Sequence, residues 1–117
     1  MQNIYRNICS IPEKFTGKKN INIKQLIKES GYYKNKESIK LEELINFIKL
    51  NPEYVKKWLQ YSSDKRTSSG WYFSEMNYKY LIGFYLDGKD EVVEEYASEY
   101  DACAQFILKE LPSIVLD

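Results

Sequence analysis

The apolar residues of this chain change their spacing twice along its length. From residue 22 to residue 61 they recur every three or four positions. From 70 to 96 they gather in runs of strand formers, and from Tyr100 to Leu111 the helical spacing returns. A helix buries a stripe with a period of 3.6, whereas a strand sends alternate residues to opposite faces. This order therefore predicts helices, then a small sheet, then a helix. A three-stranded sheet exposes an apolar face that helices must cover. The expected class is α+β: N-terminal helices, a three-stranded antiparallel meander, and a C-terminal helix packed on the sheet. A length of 117 residues without a Gly/Ser or Pro-rich linker predicts one domain spanning 1–117.

The elements can be placed one by one. Residues 1–20 carry Pro12 and Gly17 and are expected to form an irregular N-terminal arm, with Ile4, Tyr5, Ile8 and Ile11 packed down or in a short strand. Ile23, Leu26, Ile27 and Ser30 form a helical stripe between a capping Asn22 and a terminating Gly31. A second helix is expected from Ser38, with Leu41, Leu44, Ile45 and Ile48 on one face. Asn51-Pro52 ends it and opens a third, with Asn51 as cap and Val55, Trp58 and Leu59 as its buried stripe. That helix is expected to fray near Ser62.

Gly70 to Phe73 then begins a strand, and Met76-Asn77 links it tightly to a second strand over Tyr78 to Leu86. Tyr78, Tyr80, Ile82, Phe84 and Leu86 would share one face of that strand. Leu81 and Tyr85 give the other face apolar bulk, which marks a central strand. Asp87-Gly88 is a hairpin signal leading into a third strand through Val92, Val93 and Tyr96. Ser98 to Asp101 has the form of a capping box. Behind it Tyr100, Cys103, Ala104, Ile107, Leu108 and Leu111 make a helical stripe that Pro112 stops. Trp58, Leu44, Ile48, Ile82, Phe84, Ile107 and Leu111 are expected in one core, with Cys103 as a buried thiol.

Composition narrows the function classes. The chain has no histidine, which removes Ser-His-Asp and Cys-His nucleophilic sites and imidazole proton shuttles. No Gly-rich phosphate motif is present. No enzyme activity, cofactor or metal is expected. The longest apolar run, Tyr80 to Leu86, is too short to span a membrane and is broken by Gly83. No apolar leader stands in the first 12 residues. Two distant cysteines, Cys9 and Cys103, fit a reduced, cytoplasmic protein.

The net charge is zero but polarised. Residues 1–66 carry 14 Lys and Arg against 7 Asp and Glu, a balance of +7; residues 67–117 carry 3 against 10, a balance of −7. Between Asp87 and Asp101 seven carboxylates face the single base Lys89. Like charges at this density repel one another, so a basic partner would relieve a real cost; the alternative is that the basic and acidic halves neutralise each other within the fold. Asp87, Asp90, Glu91, Glu94 and Glu95 are the candidate partner-binding residues. Glu94 and Glu95 are expected on opposite strand faces, with Glu95 the one that could turn inward. Asp64 and Arg66 join the candidates from the polar segment Ser62 to Gly70, for which a structural loop held by an Asp64–Arg66 contact is the favoured reading. Zero net charge argues against a nucleic-acid binder. The alternative is a small nucleic-acid-binding or regulatory module using Lys18, Lys19, Lys56, Lys57, Lys65 and Arg66. The 11 tyrosines fall mostly on buried stripes, which favours core packing over a base-stacking platform.

Three stretches carry a family likeness: Ser63-Asp64-Lys65-Arg66-Thr67-Ser68-Ser69-Gly70-Trp71-Tyr72-Phe73, the strand bearing Gly83, and Tyr100-Asp101-Ala102-Cys103-Ala104-Gln105-Phe106-Ile107. Over about residues 38–112 the chain resembles bacterial immunity proteins of polymorphic-toxin and contact-dependent growth inhibition systems. The resemblance implies a stoichiometric inhibitor that binds a cognate toxin domain, such as a nuclease, in the cytoplasm. It assigns no catalytic residue. Nuclease toxins need basic surfaces to hold phosphates, and an acidic inhibitor surface suits such a partner.

Overall fold

The computed structural model describes residues 2–17, 22–65, 70–87 and 89–114. The elements run α1 (Gln2–Cys9), α2 (Ile11–Gly17), α3 (Ile23–Ser30), α4 (Tyr32–Asn35), a 3-10 turn (Lys36–Ser38), α5 (Leu41–Leu50), α6 (Glu53–Lys65), β1 (Gly70–Met76), β2 (Lys79–Leu86), β3 (Lys89–Tyr96) and α7 (Glu99–Ser113). The strands form one antiparallel sheet in the order β1-β2-β3. The α+β class, the meander and the C-terminal helix on the sheet are as the apolar periods predict.

The expected N-terminal arm is corrected over residues 2–17; the rest of residues 1–20 lies outside the described residues. Residues 2–17 form two helices, not an irregular arm. Ile4, Ile8 and Ile11 recur at i, i+4 and i+7 and are buried together with Tyr5. Pro12 does not break the chain: it stands in the first turn of α2, where an absent N–H leaves no hydrogen bond unmade. The Tyr5 hydroxyl donates to Glu43 Oε1 at 2.6 Å and accepts from the Lys40 N–H at 3.2 Å, tying α1 to the start of α5.

Other boundaries shift for local reasons. Asn22 Oδ1 accepts from the Lys24 N–H at 2.7 Å, and Gly31 closes α3 at φ 88°. Residues 32–38 then make a short helix and a 3-10 turn, so α5 opens at Leu41 rather than at Ser38. Asn51 does not lend its side chain to the next helix; its Nδ2 donates back to the Phe47 carbonyl at 2.9 Å. α6 does not fray at Ser62, because Ser62 Oγ accepts from the Phe73 N–H at 2.7 Å and fastens the helix to β1. The link between β1 and β2 is Asn77-Tyr78, one residue later than expected, with φ of 53° and 65°. Two left-handed residues match the right-handed strand twist. Tyr78, expected at the head of a strand face, is therefore 95% exposed in the turn. Ser98 Oγ accepts from the Asp101 N–H at 3.3 Å as the cap of α7. Pro112 lies inside the last turn of α7 and the helix ends at Ser113, because a donor missing this close to the end breaks no further turns.

Leu44, Ile48, Trp58, Ile82, Ile107 and Leu111 are fully buried in one cluster. Phe84 is the exception among the expected core residues: it is half-buried near the end of β2, edge-on to Trp71 with ring centroids 5.1 Å apart. Phe106, outside the predicted stripe, is fully buried. Its ring lies 6.0 Å from Trp58, 6.5 Å from Tyr61 and 5.6 Å from Phe73. Glu110 is buried as well and accepts from the Tyr61 hydroxyl at 2.6 Å. α7 is thus enclosed on more than one side, which a single stripe does not express. Cys9 and Cys103 are buried free thiols. Burial pushes the Cys9 thiol up to about 12 and Cys103 well above its ordinary range.

Two outcomes follow. Ile107→Ala should lower the unfolding free energy by about 2–5 kcal/mol in urea titrations, the usual cost of emptying a fully buried site. A thiol reagent at pH 8 should label neither cysteine faster than the protein opens, since the reactive thiolate is disfavoured at both sites.

Candidate partner-binding face

The register of the sheet sorts the candidate carboxylates. Trp71 pairs with Phe84 and Phe73 with Ile82; across β3, Phe84 pairs with Glu91, Ile82 with Glu94 and Tyr80 with Tyr96. These residues share the face that α6 and α7 cover. Tyr72 pairs with Gly83 and Ser74 with Leu81, while Tyr85 pairs with Asp90 and Leu81 with Glu95. They share the opposite face, of which no described residue belongs to the core cluster. A register shift between Ile82 and Gly83 adds one residue to β3 there, a bulge that bends the strand.

The acidic run is therefore divided rather than gathered on one side. Glu91 is exposed at the rim of the helix-covered face. Glu94 lies on the same face, 3.2 Å from Lys109 Nζ on α7. The Tyr96 hydroxyl and then Lys109 hold its carboxyl below the ordinary range. Lys109 Nζ also stands 5.1 Å from the centre of the Trp71 ring. Glu94, not Glu95, is the carboxylate that turns toward the helices. Glu95 is exposed on the open face, with its Oε2 3.8 Å from Lys79 Nζ. Asp90 is exposed opposite Tyr85, and Asp87 is exposed at φ 52° in the connection from β2. Neither Asp90 nor Glu91 has an ion-pair partner among the described residues.

The other sequence candidates are dispersed. Asp64 is exposed near the end of α6, where its Oδ1 accepts from Gln60 Nε2 at 3.0 Å. Arg66 lies outside the described residues, and with it the expected Asp64–Arg66 contact. Of the basic set, Lys56 is exposed and Lys57 is paired with Glu13. Lys18 and Lys19 lie outside the described residues.

Sequence reasoning did not single out the open face as a surface. The Tyr72 ring lies across Gly83, and a Cβ at residue 83 would fall 2.3 Å from it. The ring then packs against Tyr85 with centroids 4.8 Å apart. The Tyr72 hydroxyl is buried without a partner in hydrogen-bonding geometry, although Asp90 stands close to it. Burial first, and the Asp90 carboxylate second, push the phenol above its ordinary range. Leu81 and Tyr85 are half-buried, and Met76 at the end of the face is 60% exposed. The available signal was Gly83 between two apolar alternations: a glycine inside a strand marks the close approach of another group.

A cleft of about 540 Å³ lies where α6, the β1–β2 turn and α7 meet; Val55, Leu59 and Tyr80 line it together with the acids Glu53, Glu75 and Glu99 and the bases Lys56 and Lys57. The Tyr80 hydroxyl is 2.9 Å from Glu75 Oε2 and 3.2 Å from Glu99 Oε2. Burial and these two carboxylates push the phenol above its ordinary range. Among the described residues no group of three His, Cys, Asp or Glu is placed to hold a metal ion. No described helix is long and apolar enough to cross a membrane.

Compared with protein-family models, with curated proteins and with solved structures, the chain matches none.

Gly83→Ala should lift the Tyr72 ring from the sheet while leaving the backbone in place, since the clashing atoms are the far end of a side chain. The lost aromatic pair should cost about 0.5–1.5 kcal/mol in thermal or urea unfolding. Loss of ring contacts between Tyr72 and Tyr85 in nuclear Overhauser spectra would report the displacement directly.

Proposed function

We propose that this chain is an immunity protein, a stoichiometric inhibitor that neutralises a basic toxin domain by covering it. The observation that carries the reading is the exposed acidic end of the β2–β3 hairpin, where Asp87, Asp90 and Glu91 stand at the margin of a sheet face rich in tyrosine. Asp90 and Glu91 have no ion-pair partner within the described fold, so their field is available to an approaching molecule. Charges arranged in this way act on association first: they raise the rate of encounter with a basic surface and repel phosphate. An inhibitor acting by occupation needs neither a nucleophile nor a cofactor. The family likeness of the segments around Gly70, Gly83 and Cys103 points to the same activity.

Growth rescue tests the function directly: expression of the chain should protect cells producing a toxin domain encoded by the same genome, and the purified pair should bind one to one by calorimetry. Absence of both would overturn the reading. Asp90→Lys with Glu91→Lys should slow association about tenfold at low salt, flatten its salt dependence and quicken dissociation through the loss of the Asp90 carboxylate. Stopped-flow measurement at several salt concentrations separates these rates. Glu94 is left intact in that variant because its removal would strand Lys109 beside Trp71.

A further inference from the structure

We infer that the open face of the sheet is the docking surface, and that it receives an arginine-bearing basic segment of the partner between Tyr85, Tyr72 and Asp90. This rests on the inhibitor reading for the identity of the partner, but not for the chemistry of the face.

The face combines what recognition of a guanidinium requires. Tyr72 and Tyr85 form a paired aromatic surface, with ring centroids 4.8 Å apart. Asp90 is cross-strand from Tyr85 and exposed, with no ion-pair partner among the described residues. A planar guanidinium can lie against a tyrosine ring and bond a carboxylate at the same time. The Tyr72 hydroxyl, in a residue only 7% exposed, has no partner of its own in hydrogen-bonding geometry. Around this centre Leu81 is half-buried and Met76 is exposed, which gives the apolar contact a stable interface needs. Lys79, on the same face, is already matched by Glu95 at 3.8 Å. The uncompensated charge of the face is thus the carboxylate of Asp90, and the complementary occupant is basic.

The aromatic pair also accounts for Gly83. A side chain at that position would occupy the space the Tyr72 ring takes as it crosses toward β3. Without the glycine the ring could not pack beside Tyr85, to which it is tilted by 35°, and the surface would lose its shape.

Titration with a nona-arginine peptide, followed by amide and tyrosine-ring resonances, tests the inference without the toxin. The largest shifts should fall on Tyr72, Leu81, Tyr85 and Asp90, and nona-glutamate should produce none. Tyr85→Ala and Asp90→Asn, both at positions outside the core cluster, should each weaken peptide binding at least tenfold, with thermal unfolding confirming that they remain folded. Shifts centred instead on Glu75 and Glu99 in the cleft, or an affinity unchanged from the unsubstituted protein in both variants, would overturn the assignment. With the toxin in hand, Tyr85→Ala should raise the dissociation rate at least tenfold. An unchanged dissociation rate in a complex that still forms would refute this docking face and leave the inhibitor function standing. Peptide binding on Tyr85 and Asp90 with no toxin complex would support the face and refute that function.

Discussion

The architecture depends on the burial of α7 against both the sheet and the preceding helices. Phe106 is the junction: its ring reaches Phe73 of β1 on one side and Trp58 and Tyr61 of α6 on the other. Ala102, Cys103, Ala104, Ile107 and Leu111 are fully buried around it. Small residues at 102 and 104 let the helix approach closely, and the aromatic ring fills the space that remains. Interiors are packed to crystal-like density, so this one helix fixes the distance between α6 and the sheet. Enclosing α7 also buries the carboxyl group of Glu110, which would be expensive without a hydrogen bond. The Tyr61 hydroxyl supplies one at 2.6 Å.

With one sheet face committed to α6 and α7, the other is left to contact the outside. Alternation along each strand then decides where every charge goes. A dense acidic run on β3 cannot point one way, because neighbouring residues of a strand face opposite sides. Glu94 is drawn toward Lys109, Glu95 toward Lys79, and Asp90 toward the tyrosines. The bulge near Gly83 sets this division by changing the register of β3 partway along the sheet. The sheet therefore carries acidic character at its margin and aromatic surface at its centre, the combination that gives protein interfaces their specificity.

The sequence was most legible where a local signal and a long apolar period agreed. Asn22 and Gly31 bound α3 as a cap and a left-handed stop, and Ser98 caps α7, because these side chains act on backbone groups within a few residues. The N-terminal helices were misread for the same reason in reverse: Pro12 and Gly17 are local punctuation, but Pro12 fits the first turn of a helix as well as it fits a break. Asn51 had two helix ends within reach, and its amide bonds the Phe47 carbonyl behind it. Tyr78 looked like the start of a strand until the turn took it, since a two-residue hairpin connection needs left-handed residues wherever the register falls.

By itself the sequence determined the class of the fold, the order of α3, α5, α6, the three strands and α7, most of its core and the absence of imidazole chemistry. Each of these follows from periodicity or composition, which are properties of neighbouring residues. The tertiary structure decided which carboxylates are paired, which sheet face is covered, and that Tyr72 lies over Gly83 beside Tyr85. These are relations between residues on different strands and helices. No local rule contains them, because register and helix packing are settled only when the whole chain closes around α7.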